Sequence, residues 1–169
     1  KNHKLYVKKG NNTQYELCRT SDVFGKRVRF KKNTTNSYPY QEFFIAHADD
    51  GLTERYPMDA WLKLLGLFIS DGFTHGTYVY LYAETIRKKN FHTALLTELG
   101  VSYRMTTRKT MILVSQYPSL SYELKRLSVC TIDKYLPDYV WNLSQVQSLI
   151  LLNSLIESDG SMGSNLCYT

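Results

Sequence analysis

The alternation of apolar and polar positions changes its period several times along the chain. Lys4–Lys9, Gln14–Arg19 and Val28–Phe30 read as extended runs, punctuated by Gly10-Asn11-Asn12 and by Gly25. Residues 1–47 therefore predict a β-rich piece. Residues 48–57 carry no periodicity and predict a linker. From Pro57-Met58-Asp59 onward Trp61, Leu64, Leu65, Leu67, Phe68 and Ile69 cover most of a helical circumference, which predicts a buried helix. Tyr78–Ala83 alternates cleanly, with Val79, Leu81 and Ala83 on one face and Tyr78, Tyr80 and Tyr82 on the other. Thr85–Leu99 predicts an amphipathic helix stopped by Gly100. Val101–Thr107 and Thr110–Gln116 predict a hairpin around Arg108-Lys109, with Val101, Tyr103 and Met105 inward and Ser102 and Arg104 outward. Tyr122–Leu127 reads as a short helix, Lys134–Trp141 as irregular, and Ser144–Glu157 as an apolar helix with Ser144 as N-cap. Strands mixed with segregated helices make this an α+β protein of two units.

Composition narrows the class. The 169 residues carry 21 Lys+Arg against 15 Asp+Glu, a formal charge of +6, and 14 of them are Tyr. A basic, Tyr-rich chain has what a polyanion binder needs, because charge supplies affinity and rings supply contact area. With 43% apolar residues and a mean hydropathy of −0.33, it has the composition of a folded globular protein. Cys18, Cys130 and Cys167 are odd in number and lack C-x-x-C spacing, which argues against a disulfide scaffold and against a structural zinc site. The longest apolar runs are far too short to span a bilayer, so no membrane partner is expected. The basic charge is concentrated in residues 1–32 and 85–126. The first stretch reads equally well as a solvated strand face.

An internal repeat carries the candidate chemistry. Leu64-Leu65-Gly66-Leu67-Phe68-Ile69-Ser70-Asp71-Gly72 recurs as Leu152-Asn153-Ser154-Leu155-Ile156-Glu157-Ser158-Asp159-Gly160. Each copy sets small residues one helical turn apart: Gly66 with Ser70, and Ser154 with Ser158. Two such helices can approach closely along that strip. Each then ends in Asp-Gly, with Gly expected as a left-handed cap. Side by side and parallel, the helices would bring Asp71 and Asp159 together. An aspartate at a helix C-terminus opposes the macrodipole by about 0.3–1 kcal/mol, and a second carboxylate adds repulsion. A divalent cation relieves both, and oxygen-only ligands suit Mg²⁺.

On these motifs the chain resembles the LAGLIDADG homing endonucleases in their two-motif, single-chain form. The likeness covers roughly residues 58–169. It includes Glu98-Leu99-Gly100-Val101, similar to the family's helix-to-strand turn, and Lys134-Tyr135-Leu136-Pro137, similar to a segment preceding the second motif in intein members. The resemblance implies paired motif helices beneath curved antiparallel sheets. It also implies catalytic, metal-binding acids at Asp71 and Asp159 and a catalytic lysine at Lys134 that supports cleavage by stabilising charge or orienting the attacking water. Asn2-His3-Lys4-Leu5-Tyr6-Val7, with Tyr15-Glu16-Leu17 and Gly25-Lys26-Arg27-Val28, is similar to the middle of a Hint (intein splicing) domain, where His3 would polarise a scissile peptide bond.

These likenesses divide the chain into a Hint-like fragment (1–47), a linker (48–57), a first endonuclease half (58–143) and the start of a second (144–169). The stretch reads as a central slice of an intein, expected to be weakly active by itself. The intact protein would be a monomer with pseudo-two-fold symmetry. Its partner would be double-stranded DNA, contacted through Tyr78, Tyr80, Tyr82, Arg87, Lys88, Arg104, Arg108 and Lys109 and cut on both strands with Mg²⁺. An RNA-splicing maturase, a non-catalytic DNA-binding regulator and a basic domain without nucleic-acid function are the alternatives.

Overall fold

A computed structural model describes residues 4–30, 37–76, 78–106, 110–113, 118–128, 134–161 and 167–168, with backbone alone for Ile112 and from Asp159 onward. The chain is α+β and divides into two compact units, Lys1–Asn36 and Ser37–Thr169.

In the first unit, β1 (Lys4–Lys9) lies between β2 (Glu16–Arg19) and β3 (Val28–Phe30) in an antiparallel sheet, and a single helical turn, α1 (Thr20–Val23), follows β2. Its core is small: Val7, Cys18 and Val23 are buried, with Leu5 and Val28 packed beside them. The turns use Gly10 (φ 48°) and Gly25 (φ 71°), positions that need a left-handed backbone.

The second unit opens on a hairpin, β4 (Phe43–His47) and β5 (Thr53–Pro57). The expected linker is thus confined to the turn Ala48–Leu52, closed by Leu52 O accepting from Ala48 N at 2.9 Å. Strand β5 buries only Tyr56, so its period is hidden among Thr53, Glu54 and Arg55, and pairing with β4 orders it. The unit boundary falls after Asn36, and residues 37–47 belong with the helical unit.

Helix α2 (Met58–Asp71) follows directly. Trp61, completely buried, stacks on Phe44 at 4.1 Å and donates from Nε1 to Tyr139 Oη at 2.7 Å. Burial holds the Tyr139 phenol well above its ordinary pKa. The helix turns without a loop into β6 (Gly72–His75), a strand the sequence pattern did not announce. Gly72 is not left-handed: its φ is −89°. Glycine stands there for space, because a Cβ would lie 2.4 Å from Phe68 Cδ2 and 2.7 Å from Phe68 Cα. This corrects the expected cap.

The remaining strands, β7 (Tyr78–Tyr82), β8 (Tyr103–Met105) and β9 (Thr110–Leu113), complete an antiparallel sheet of order β6-β7-β9-β8. Val79, Leu81, Met111 and Leu113 line its buried face. Met105, expected inward, is 37% exposed because β8 is the sheet edge. Helix α3 (Ile86–Glu98) is capped by Thr85 Oγ1, which accepts from Lys88 N at 3.2 Å. It ends in a Schellman motif, with Gly100 at φ 68° and Val101 N donating to Leu96 O at 2.8 Å. Helix α4 (Pro118–Arg126) starts earlier than Tyr122, with Pro118 in the first turn. A 3₁₀ turn (Asp138–Asn142) leads to helix α5 (Gln145–Asp159), and β10 (Gly160–Ser161) pairs with β11 (Cys167–Tyr168).

Candidate active site

Helices α2 and α5 lie parallel and in the register of the repeat. At one end, Gln147 Nε2 donates to Asp59 Oδ1 at 3.4 Å, a pair 88 positions apart. At mid-helix a Cβ on Gly66 would sit 2.6 Å from both Cβ and Oγ of Ser154, also 88 positions on. Ser154 Oγ, for its part, donates to Lys63 O at 2.6 Å. Equivalent positions that touch one another lie on a local two-fold axis, and the absence of a side chain at Gly66 lets the backbones meet there. Ser70 is half-buried and Ser158 buried on the same helices. Asp71 and Asp159 end the two helices at equivalent positions. The Asp159 side chain lies outside the described residues.

Cations collect at these helix ends. Lys88, at the start of α3, donates to Asp71 Oδ2, and both side chains are mostly buried. A lysine expected on the DNA-facing surface is therefore turned onto the acid that ends α2. Lys134 Nζ donates to Phe68 O and Ile69 O, each at 3.0 Å, and so caps the last turn of α2. Arg87 does the same for α5: Nη2 donates to Glu157 O at 2.9 Å, and Nη1 lies 3.4 Å from Glu157 Oε2. A positive charge at a helix C-terminus is favourable by about 0.3–1 kcal/mol.

Two polar residues that sequence reasoning missed complete this region. His92 on α3 is 1% exposed, and neither ring nitrogen has a hydrogen-bond partner among the described residues. Burial, followed by the Lys88 ammonium, pushes its pKa down to about 4, with Asp71 pulling the other way. The imidazole is neutral and shares a narrow cleft with Leu67, Lys88, Glu157 and Ser158. At the opposite end, buried Gln147 accepts from Gln41 N at 3.1 Å and donates to Gln41 O, tying α5 to the segment before β4. The spacing Ser144-x-x-Gln147 is a capping-box signal legible in the sequence, and Ser144 Oγ accepts from Gln147 N at 3.3 Å. The contact with Gln41, 106 positions away, has no local signal.

The outward face of the β6-β7-β9-β8 sheet carries the tyrosines. Tyr78 and Tyr82 are 38% and 40% exposed, and Tyr80 stacks on Phe73 at 4.6 Å. Arg104 is exposed and lies over the Tyr78 ring at 5.9 Å. His3, Arg108 and Lys109 lie outside the described residues. No helix among the described residues is long and apolar enough to cross a membrane.

No protein-family model matches the chain. It is similar to part of the ATP-dependent Clp protease proteolytic subunit of Chlamydomonas moewusii, 32% identical over 182 residues that cover 91% of this chain and 18% of that protein. It is also similar to part of the DNA-directed RNA polymerase subunit beta C-terminal section of Stigeoclonium helveticum, 25% identical over 182 residues covering 92% of this chain and 17% of that protein. The chain thus spans less than a fifth of either relative.

Proposed function

We propose that this chain is part of an intein-type LAGLIDADG homing endonuclease that makes double-strand breaks at a specific DNA site. The observation that carries the reading is the α2–α5 seam. Two of its contacts, Asp59 with Gln147 and Gly66 with Ser154, join positions 88 apart, the same offset that separates Asp71 from Asp159. Two parallel helices meeting on a local two-fold and ending in equivalent acids suit an enzyme that cuts two strands related by the duplex's own dyad. The antiparallel sheet with its exposed Tyr and Arg face supports the matching fold reading, since such a sheet can enter a major groove. The relatives add support of another kind. One block recurs within a protease subunit and a polymerase subunit, proteins with unrelated names, and fills less than a fifth of each. That is the distribution of an inserted element.

The donor chemistry at the helix ends fits Mg²⁺. Asp71 offers hard carboxylate oxygen at the negative end of a helix, and the same position already attracts the Lys88 ammonium. Asp71 and Asp159, which end the two helices at equivalent positions, would be the residues of this chain that hold the metal. A bound Mg²⁺ supplies Lewis acidity at the scissile phosphate and an acidified water. Lys134 keeps the end of α2 in place through the Phe68 and Ile69 carbonyls, which makes it a positioning residue for Asp71. Lys88 is poised to exchange Asp71 for a phosphate when DNA and metal arrive.

The test is Asp71→Asn and Asp159→Asn in the intact protein, incubated with a library of duplex sites and Mg²⁺. Both variants are expected to lose cleavage and keep duplex binding. Undiminished cleavage by both would overturn the reading.

A further inference from the structure

We propose that the outer face of the first unit's three-stranded sheet docks on the phosphate backbone of duplex DNA, separately from the sheet in the second unit. The register places Lys4 opposite Arg19 and Lys8 opposite Arg29, with Tyr6 opposite Leu17 between them. Side chains alternate along a strand, so these six share one face, and buried Val7 and Cys18 define the other. No acid stands among them. Glu16 pairs in register with Val7, on the buried side, and lies 3.3 Å from Lys9.

Like charges directly across an antiparallel ladder are destabilising. This sheet carries two such pairs, although among the described residues its core has three buried members, Val7, Cys18 and Val23. The arrangement is a cost to folding and becomes favourable once a polyanion lies on it. Tyr6 (48% exposed) and Leu17 (65% exposed) supply contact area between the cationic pairs. Lys4 and Lys8 are four residues apart on one strand, about 13 Å. That matches the roughly 12 Å width of the B-DNA major groove, so the pairs can meet phosphates on its two sides. One Tyr–Leu pair flanked by cations is too little apolar surface to bury in a lipid interface. The proposal needs a DNA partner but neither aspartate of the seam.

The experiment measures binding of the full chain to a labelled duplex by fluorescence anisotropy, without divalent metal, across about 50–200 mM salt. The Lys4→Gln/Arg19→Gln and Lys8→Gln/Arg29→Gln variants should each lower the salt slope by about 2 and weaken binding about 10- to 100-fold. Lys9→Gln, on the other face, should leave the slope at the parental value. Urea midpoints should equal or exceed the parent's, because repulsion has been removed. A folded double variant with parental slope and affinity overturns the proposal. So does a loss confined to duplex RNA or to phosphatidylserine vesicles. If Asp71→Asn abolishes cleavage while the face variants bind normally, this proposal falls and the endonuclease reading stands. The reverse result separates them the other way.

Discussion

Helices α2 and α5 carry the same repeat and share one seam, yet their far sides meet different surroundings. On α2, Met58, Trp61 and Leu64 are all within 1% of complete burial. The equivalent positions on α5, 88 residues later, are Val146, Leu149 and Leu152, and these are 60%, 51% and 46% exposed. A local pattern therefore specifies which stripe of a helix is apolar and which strip is small enough to pack. Whether an apolar stripe is buried depends on the layer laid over it. For α2 that layer includes the β4–β5 hairpin, whose Phe44 stacks on Trp61.

Stability measurements can break this contrast. Trp61→Ala should cost about 3–5 kcal/mol in urea unfolding, as expected for a fully buried aromatic, whereas Leu149→Ala should cost less than about 0.5 kcal/mol. Equal costs would mean that the α5 face is covered in solution. The cleft at the C-terminal end of the seam responds to acid. His92 has a folded pKa of about 4 against an ordinary 6.5. The unfolded chain therefore takes up the proton first, and the stability this group contributes is complete above pH 6.5. It should be lost as the pH falls toward 4, by about 3 kcal/mol in all. His92→Leu should flatten that part of the pH–stability curve; an unchanged slope would show that other groups carry it.

The seam itself should cost less to disturb. Gly66→Ala forces a Cβ against Ser154 and should destabilise by about 1–3 kcal/mol. Adding Ser154→Gly should recover part of the loss. Strict additivity in that double-mutant cycle would show that the contact does not limit the packing. The smallest effect is expected at the helix ends: Lys134→Met should cost about 0.3–1 kcal/mol, seen as a lower Tm. Arg87→Met should match it if the two helix ends are equivalent.

Much of the fold was legible because its signals are local. Strands β1 and β3 and the cores of α2, α3 and α5 follow from periodicity, and Gly100 and Ser144 mark helix ends by familiar backbone chemistry. Strands β5 and β6 were not legible. Each is short, buries a single residue (Tyr56 and Gly72) and owes its order to a partner strand. At the candidate site the repeat singled out Asp71 and Asp159, but it could not announce that Lys88 would turn onto Asp71.

By itself the sequence determined the small-residue strip at Gly66 and Ser154, the two acids that end the helices, and the alternation that leaves Tyr78, Tyr80 and Tyr82 opposite the aliphatic core. Those properties depend on residues within a turn or two of one another. Only the tertiary structure decided that Lys134 would hold the Phe68 and Ile69 carbonyls, that Gln147 would clasp Gln41, and that His92 would be buried uncharged. Each joins or desolvates groups from separate elements, and no period in a single segment encodes which distant surface will close over it.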